Sequence, residues 1–521
     1  MSSTTRTRGQ RLGISRIHGA LVVCAAIVVF IAHASYFWRI VGNVAIDDAY
    51  ISFRYAENLS RGQGLVFNLG ERIEGYSNFL WVLVLAPVTR LTSDLTAPAR
   101  ILGLVLGIAT LGLAAAAVRR VLRLDGAGWV AAAVLVPAMS GYFAAWCISG
   151  MESALYALLL LAAWVRYAVE SERNDDRHIG SALLFAALAL TRTEGVLLAL
   201  VAVAFHGVRL ACERPRRPTG RALVFPGLVV GVIVLFAIWR FSYYGPYLLP
   251  NSVQAKIGGG VHQLLRGSAY TAHNFLVPYA PLLLCLLLLR KRWRDTASTL
   301  GVLLAVAYLG VFAAAGGDWS LGRFFAPLLP LLSVLFVGAL ARLGARFWRD
   351  RRGQASLALL MAVFLAASFH ITTNLRKAPR WRTYASADHE RVAIGRWLAQ
   401  TAPPDTRVAT FALGQLAYYS KLYTHDMLGL TDRHIASLEM PNLGHGVPGH
   451  EKYDPAYTLE TIRPDIIIGA SLIPVMTRTK IYMTEYQPLR HFWKQHDVVL
   501  RRDFLPRLTK HAAEAGGAAD P

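Results

Sequence analysis

Apolar runs of membrane length recur along this chain, and they limit its possible folds more than any other feature. His18–Val41, Ala99–Val118, Trp129–Cys147, Leu223–Trp239, Leu300–Ala315 and Phe324–Leu343 approach or reach the roughly 20 residues a helix needs to cross about 30 Å of hydrocarbon. In that medium every backbone N–H and C=O must find its partner within the segment, so such runs are expected to be helices. The composition agrees, with 55% hydrophobic residues in a chain of 521. The expectation is an α-helical polytopic membrane protein.

Charge orders the spans. A net charge of +22 would point to nucleic acid in a soluble chain, but here the basic residues fall in short stretches between apolar runs. Arg6, Arg8, Arg11 and Arg16 precede the first run, and Arg119, Arg120 and Arg123 follow the second. Later clusters are Arg214, Arg216 and Arg217, then Arg290, Lys291, Arg292 and Arg294, then Arg346, Arg349, Arg351 and Arg352. The shorter runs Ser153–Tyr167, Ser181–Leu190, Val196–Leu210, Phe275–Leu289 and Ser356–Ile371 complete a path of about eleven spans that puts nearly every cluster on one side. By the positive-inside rule that side is cytoplasmic, as is the N-terminus, and no nucleic-acid partner is expected. Ala32-His33-Ala34 resembles a signal-peptidase site, but the run continues through Tyr36, Phe37 and Trp38, so it reads as a retained anchor in the cell membrane. Cys24, Cys147, Cys212 and Cys285 lie in or beside apolar runs without a CxxC pair, so neither a disulfide framework nor a zinc site follows.

This topology predicts a transmembrane domain over 1–373 with an external loop at 42–98, then an extracytoplasmic mixed α/β domain over 374–511. The Ala/Gly-rich tail 512–521 is expected to be disordered. The segment Phe79–Val88 is too short to span and is expected in the interface.

The chemistry concentrates outside. Ala45–Trp81 carries adjacent acids, Asp47 and Asp48, then Tyr50, Arg54, Glu74 and Tyr76, with Tyr50 and Arg54 on one side of a helix. Glu152, Arg192, Glu194, Arg240, Asn251, Lys256, Asp318, Trp319 and Arg323 fall at or near external span ends. Charges at bilayer edges are costly unless paired or wet, so the set predicts a polar cavity facing outward. Plainer readings exist: Arg192 and Glu194 could pair across a turn, Arg240 and Arg323 could snorkel, and Asp318 or the acid pair could cap helices.

The blocks Asp47-Asp48-Ala49-Tyr50-Ile51-Ser52-Phe53-Arg54, Gly64–Asn68 and Gly70–Glu74 resemble the first external loop of GT-C glycosyltransferases. Ser149–Ser153, Arg192–Gly195, Leu249–Asn251 with Ala255-Lys256, Gly316–Trp319 with Gly322-Arg323, Gly429–Asp432 and Gly449–Lys452 follow in family order. Over nearly its full length the chain is similar to the cell-wall terminal β-(1→2)-arabinofuranosyltransferases, although Arg192-Thr193 stands where that family often has Arg-Pro.

The resemblance implies a sugar, arabinofuranose in that family, moved from a polyprenyl-phosphate donor in the membrane to an extracytoplasmic cell-wall or lipid-linked glycan. Asp47 is then the first choice as base and Asp48 the second. Lys256, Arg192, Arg323, Arg240, His450 and Lys452 are expected around the donor phosphate. Tyr50, Arg54, Glu74, Tyr76, Glu152, Glu194, Asn251, Asp318 and Trp319 are expected to line the substrate cavity. No cofactor is assigned, a divalent cation between paired acids stays open, and so does the choice between inversion and retention, with Glu74 or Asp318 the better second carboxylate. The alternatives are a GT-C transferase for another sugar and a transporter or flippase of lipid-linked sugar.

Overall fold

The computed structural model describes residues 2–213, 220–276, 279–280, 282–283, 296–318, 322–347, 379–489 and 493–514. In chain order its helices begin with α1 (Ser2–Val41), α2 (Asp47–Ser60), α3 (Phe79–Leu85), α4 (Thr96–Arg120), α5 (Ala127–Met139), α6 (Gly141–Cys147) and α7 (Ser153–Glu172). They continue with α8 (Ile179–Thr191), α9 (Thr193–Glu213), α10 (Val224–Tyr244), α11 (Asn251–Gln254), α12 (Gly260–Thr271), α13 (Thr296–Ala314) and α14 (Leu329–Phe347). The last are α15 (Pro379–Thr401), α16 (Gly414–Ser420), α17 (Arg433–Ser437), α18 (Lys480–Glu485) and α19 (Leu505–Glu514). The chain divides into two compact units.

The first unit, Met1–Arg39, Arg100–Ile238 and Leu265–Ala378, holds most of the apolar helices. Among the described residues 6 helices are long and apolar enough to cross a membrane, or 7 when α5 and α6 count as one bent span. Ile179–Thr191 and Ala326–Arg342 are shorter apolar helices. Each span expected from the sequence has a helix wherever its residues are described. Phe275–Leu289 falls largely, and Ser356–Ile371 wholly, outside them.

The 65° break between α5 and α6 has a local cause. Pro137 lacks an N–H and its ring crowds the preceding turn, so the helix stops at Met139. Ser140 then turns extended and its hydroxyl accepts from Phe143 N at 3.4 Å, capping α6. The turn from α8 to α9 is equally constrained. A Cβ on Gly195 would lie 2.1 Å from the Leu188 carbonyl oxygen, so only glycine fits there. Arg100, 1% exposed, donates from Nε to the Ile148 carbonyl at 3.1 Å and stacks 3.7 Å above the Trp38 ring.

The second unit joins Ile40–Ala99, Trp239–Leu264 and Pro379–Pro521. Its sheet comprises β1 (Arg407–Thr410), β2 (Tyr423–Asp426), β3 (Ile466–Ile468), β4 (Tyr486–Pro488) and β5 (Val498–Arg501), in the order β2-β1-β3-β5-β4. The first three pair in parallel, while β5 runs antiparallel to both β3 and β4. Side chains alternate along each strand. Val408, Ile466, Ile468, Val498 and Leu500 pack with Ile394, Leu398 and Leu416 on one face. Ala409, Ile467 and Val499 pack with Met427 and Tyr486 on the other. Burial of both faces explains why the central strands read as short, almost purely apolar runs.

Phe79–Arg90 forms a short helix and a 3-10 turn, α3 and Ala86–Arg90, well below a span in length. At the C-terminus the structure departs from the expected tail. α19 carries ordered helix through Glu514, with Leu508 and Ala512 buried, so 512–514 are helical and the rest of that tail lies outside the described residues.

Candidate active site

The acid pair opens α2, as its first two helical residues, behind an extended Ile46. Neither acid caps its own helix through its side chain. Asp47 instead reaches across to α16, where Oδ2 accepts from Gly414 N at 3.1 Å and Oδ1 from Gln415 N at 2.9 Å. These are among the donors that a helix N-terminus leaves without intrahelical partners, and a carboxylate there also meets the positive end of the dipole. Gly414 is needed for this approach, because a Cβ would lie 1.9 Å from the Asp47 carbonyl oxygen.

Arg391, from α15, closes the knot. Its Nε lies 3.7 Å from Asp47 Oδ1 and donates to Gln415 Oε1 at 2.8 Å, while its Nη2 binds Asp388. His496 Nε2 sits 3.0 Å from Arg391 Nη1, and His496 Nδ1 lies 3.2 Å from Glu390. An arginine can only donate, so Nε2 accepts and the proton sits on Nδ1. Burial raises the Asp47 pKa against the pull of Arg391 and the two N–H groups, and pushes Asp388 up to about 6. Asp48 is partly exposed beside this knot.

Other residues expected to line the cavity stitch the second unit together. Arg54, 6% exposed, donates to the carbonyls of Phe67 at 2.7 Å and Leu422 at 2.8 Å, and to that of Ala417. A guanidinium that donates to three carbonyls acts as a latch within the fold. Tyr50 is fully buried, with its hydroxyl 2.9 Å from Thr96 Oγ1 and accepting from Ala45 N at 3.2 Å. The Tyr76 hydroxyl pairs with that of Tyr244 at 3.0 Å.

Glu74 is gripped by Arg240, with Nε to Oε1 at 3.0 Å and Nη2 to Oε2 at 2.5 Å, so these two predicted ligands bind each other. Asn251 Nδ2 donates to the carbonyls of Gly429 at 2.8 Å, Leu430 at 3.1 Å and Asp432 at 3.1 Å. Lys452 Nζ donates to those of Ala436 at 2.8 Å and Gln254 at 3.1 Å. The Lys256 stem lies against Gly449, whose added Cβ would be 3.3 Å from Cε, and the next residue, His450, packs its ring on Phe411.

The first unit carries its own ionic cluster. Arg192 bridges Glu152 and Glu194, and all three are buried. The turn-pairing reading of Arg192 and Glu194 is therefore correct but incomplete, since Glu152 joins from α6–α7. Arg323 Nε lies 3.0 Å from Asp318 Oδ2. Trp319 lies outside the described residues. Among those described, no three His, Cys, Asp or Glu side chains converge on a metal position.

Arg391, Asp388, Gly414 and Gln415 escaped the sequence reading. Nothing in their local spacing marks them, because their meeting with Asp47 is a product of tertiary docking.

Comparison with known proteins agrees with this architecture. By structure, the chain is similar to ArnT from Cupriavidus metallidurans bound to undecaprenyl phosphate, with a TM-score of 0.56 at 14% identity over 92% of this chain and 97% of that one. It is also similar to the oligosaccharyltransferase AglB from Archaeoglobus fulgidus in complex with an inhibitory peptide and a dolichol-phosphate, with a TM-score of 0.52 at 11% identity over 85% of this chain and 69% of that one. Both are GT-C glycosyltransferases, and the chain has their fold: a mostly helical membrane protein with a small C-terminal sheet.

In sequence, it is similar to the terminal β-(1→2)-arabinofuranosyltransferase of Mycobacterium tuberculosis (strain ATCC 25618 / H37Rv), 28% identical over 337 residues, which are 55% of this chain and 51% of the relative. The match thus spans about half the length of that enzyme. Residues 377–513 match a family model described as a domain of unknown function, DUF8728.

Proposed function

We propose that this chain is a membrane glycosyltransferase that moves arabinofuranose from a polyprenyl-phosphate donor to an extracytoplasmic cell-wall glycan, with Asp48 as the base. The observation that carries the assignment is the engagement of Asp47. Its two oxygens accept from Gly414 N and Gln415 N and anchor the first turn of α2, which sets where its partly exposed neighbour Asp48 faces. ArnT bound to undecaprenyl phosphate and AglB in complex with dolichol-phosphate support a lipid-phosphate donor in general. The arabinofuranosyltransferase relative supports the sugar.

In a single displacement, which inverts the anomeric carbon, the acceptor hydroxyl attacks that carbon as Asp48 takes its proton. The new C–O bond forms while the bond to the phosphate oxygen breaks, and the polyprenyl phosphate leaves with the electron pair. Negative charge grows on that phosphate, so fixed cations lower the barrier. Lys256, whose stem lies against Gly449, and His450, the residue after that glycine, are the groups proposed to hold it. Arg192, Arg240 and Arg323 each sit against a carboxylate.

The test is transfer from a synthetic polyprenyl-phosphate arabinofuranose to an arabinofuranose oligosaccharide by the purified chain. Asp48→Asn is expected to lower kcat at least about a hundredfold, within the range that general-base catalysis contributes. Full activity in Asp48→Asn rules out the base assignment. Donor movement across a vesicle bilayer without transfer indicates a transporter.

A further inference from the structure

The domain that matches DUF8728 begins where the apolar spans end, and its contacts with α2 are too specific for a passive appendage. Asp47 caps α16, and Gln415 Nε2 returns a hydrogen bond to the Ala45 carbonyl at 3.0 Å, just ahead of α2. Arg54, two turns along α2, grips the Ala417 and Leu422 carbonyls, and Glu57 pairs with Lys421. Asn68 exchanges two hydrogen bonds with Thr424, one at 3.0 Å from Nδ2 and one at 3.1 Å to Oδ1. Tyr418 and Tyr419 flank the Tyr50 ring at 5.4 and 5.6 Å between centroids. These bonds fix how far α2 sits along α16 and how it is rotated about its axis, and both determine where the residue after Asp47 points.

Resting on the assignment of Asp48 as base, we infer that the C-terminal domain acts in catalysis by clamping α2, and that Arg391 is the positioning residue of that clamp. In this role Arg391 acts through Asp47, not on substrate. It joins Asp47, Asp388 and Gln415, and so holds the α16 N-terminus against the first turn of α2. Gly414 permits the contact, because any side chain there would push the two backbones apart. A base displaced by about 1 Å costs roughly a hundredfold in rate even when substrate still binds, so the clamp acts on turnover more than on affinity.

The experiment measures kcat and donor KM of the full-length protein with synthetic polyprenyl-phosphate arabinofuranose as the probe. Arg391→Ala, Arg391→Lys, Gly414→Ala, Asp48→Asn and two controls are compared, each well below its unfolding midpoint. Arg507→Ala breaks an exposed pair with Asp405 in the same domain, and Ile466→Val loosens the domain core.

Arg391→Ala and Gly414→Ala are expected to lower kcat at least about tenfold with donor KM within about twofold, Arg391→Lys to recover part of the loss, and both controls to keep kcat. If Arg391→Ala and Gly414→Ala keep kcat within about twofold while Asp48→Asn is inactive, the clamp is refuted and the base stands. Equal losses in Ile466→Val and Arg391→Ala also refute it, since general loosening would then suffice. An active Asp48→Asn, or no transfer by the unaltered protein, overturns the underlying assignment instead.

Discussion

The two ionic clusters satisfy charge in opposite ways. In the first unit, Arg192 is neutralised by the carboxylates of Glu152 and Glu194, and Arg323 by Asp318, five residues away. In the second, two charged groups of α2 turn largely to backbone, Asp47 to the N–H groups of Gly414 and Gln415 beside its contact with Arg391, and Arg54 to carbonyls of Phe67, Ala417 and Leu422. The first arrangement settles charge inside a helical unit, where an unpaired ion would be costly. The second uses charge to register one segment on another. An ion pair tolerates small displacements, whereas hydrogen bonds to the end of a helix specify position.

The strongest way to break the contrast is Arg192→Met. It leaves two buried carboxylates without their cation, and stability should fall by about 3–5 kcal/mol, read as loss of monodisperse protein in detergent. Adding Glu152→Gln and Glu194→Gln should restore much of it, because the charges are then gone together. Arg240→Met strands only Glu74 and should sit at or below the lower end of that range, about 3 kcal/mol by thermal melting.

The pH dependence sharpens the other side. Asp388 has a folded pKa near 6 against an ordinary 3.8, raised chiefly by burial, with Arg391, Asp47 and Gln415 facing it. The native state therefore holds this proton more tightly, and its contribution makes the protein less stable as pH rises from about 4 to about 6. Asp426 is also raised to about 6 and acts over the same window. Melting midpoints of Asp388→Asn should fall less steeply across that window than those of the unaltered protein, and an unchanged slope would contradict Asp388 as its source. The smallest effect belongs to Lys421→Ala, whose pair with Glu57 is 44% exposed on the lysine side and should contribute under about 1 kcal/mol.

Much of the helical architecture was legible because membrane length and Arg placement are local signals. The acid pair was legible too, since adjacent Asp residues just after a span stand out. Arg54 shows where such reading stops. Its spacing from Tyr50 correctly places both on one side of α2, but spacing does not name what that side meets, and the partners at Ala417 and Leu422 lie more than 360 residues away. Glu74 and Arg240 were recognised singly, yet their pairing across 166 residues was not encoded in either neighbourhood. The bend at Ser140 lay in plain view at Pro137, within a run apolar enough to pass for one uninterrupted helix.

The 367-residue separation between Asp47 and Gly414 has a consequence for biosynthesis. A ribosome adding roughly 5–20 residues per second needs on the order of twenty to seventy seconds to bridge that gap. Throughout that interval α2 has been synthesised without the surface it docks on. If the clamp acts as proposed, a chain cut before Gly414 lacks the surface that orients α2 and is expected to lose transfer activity.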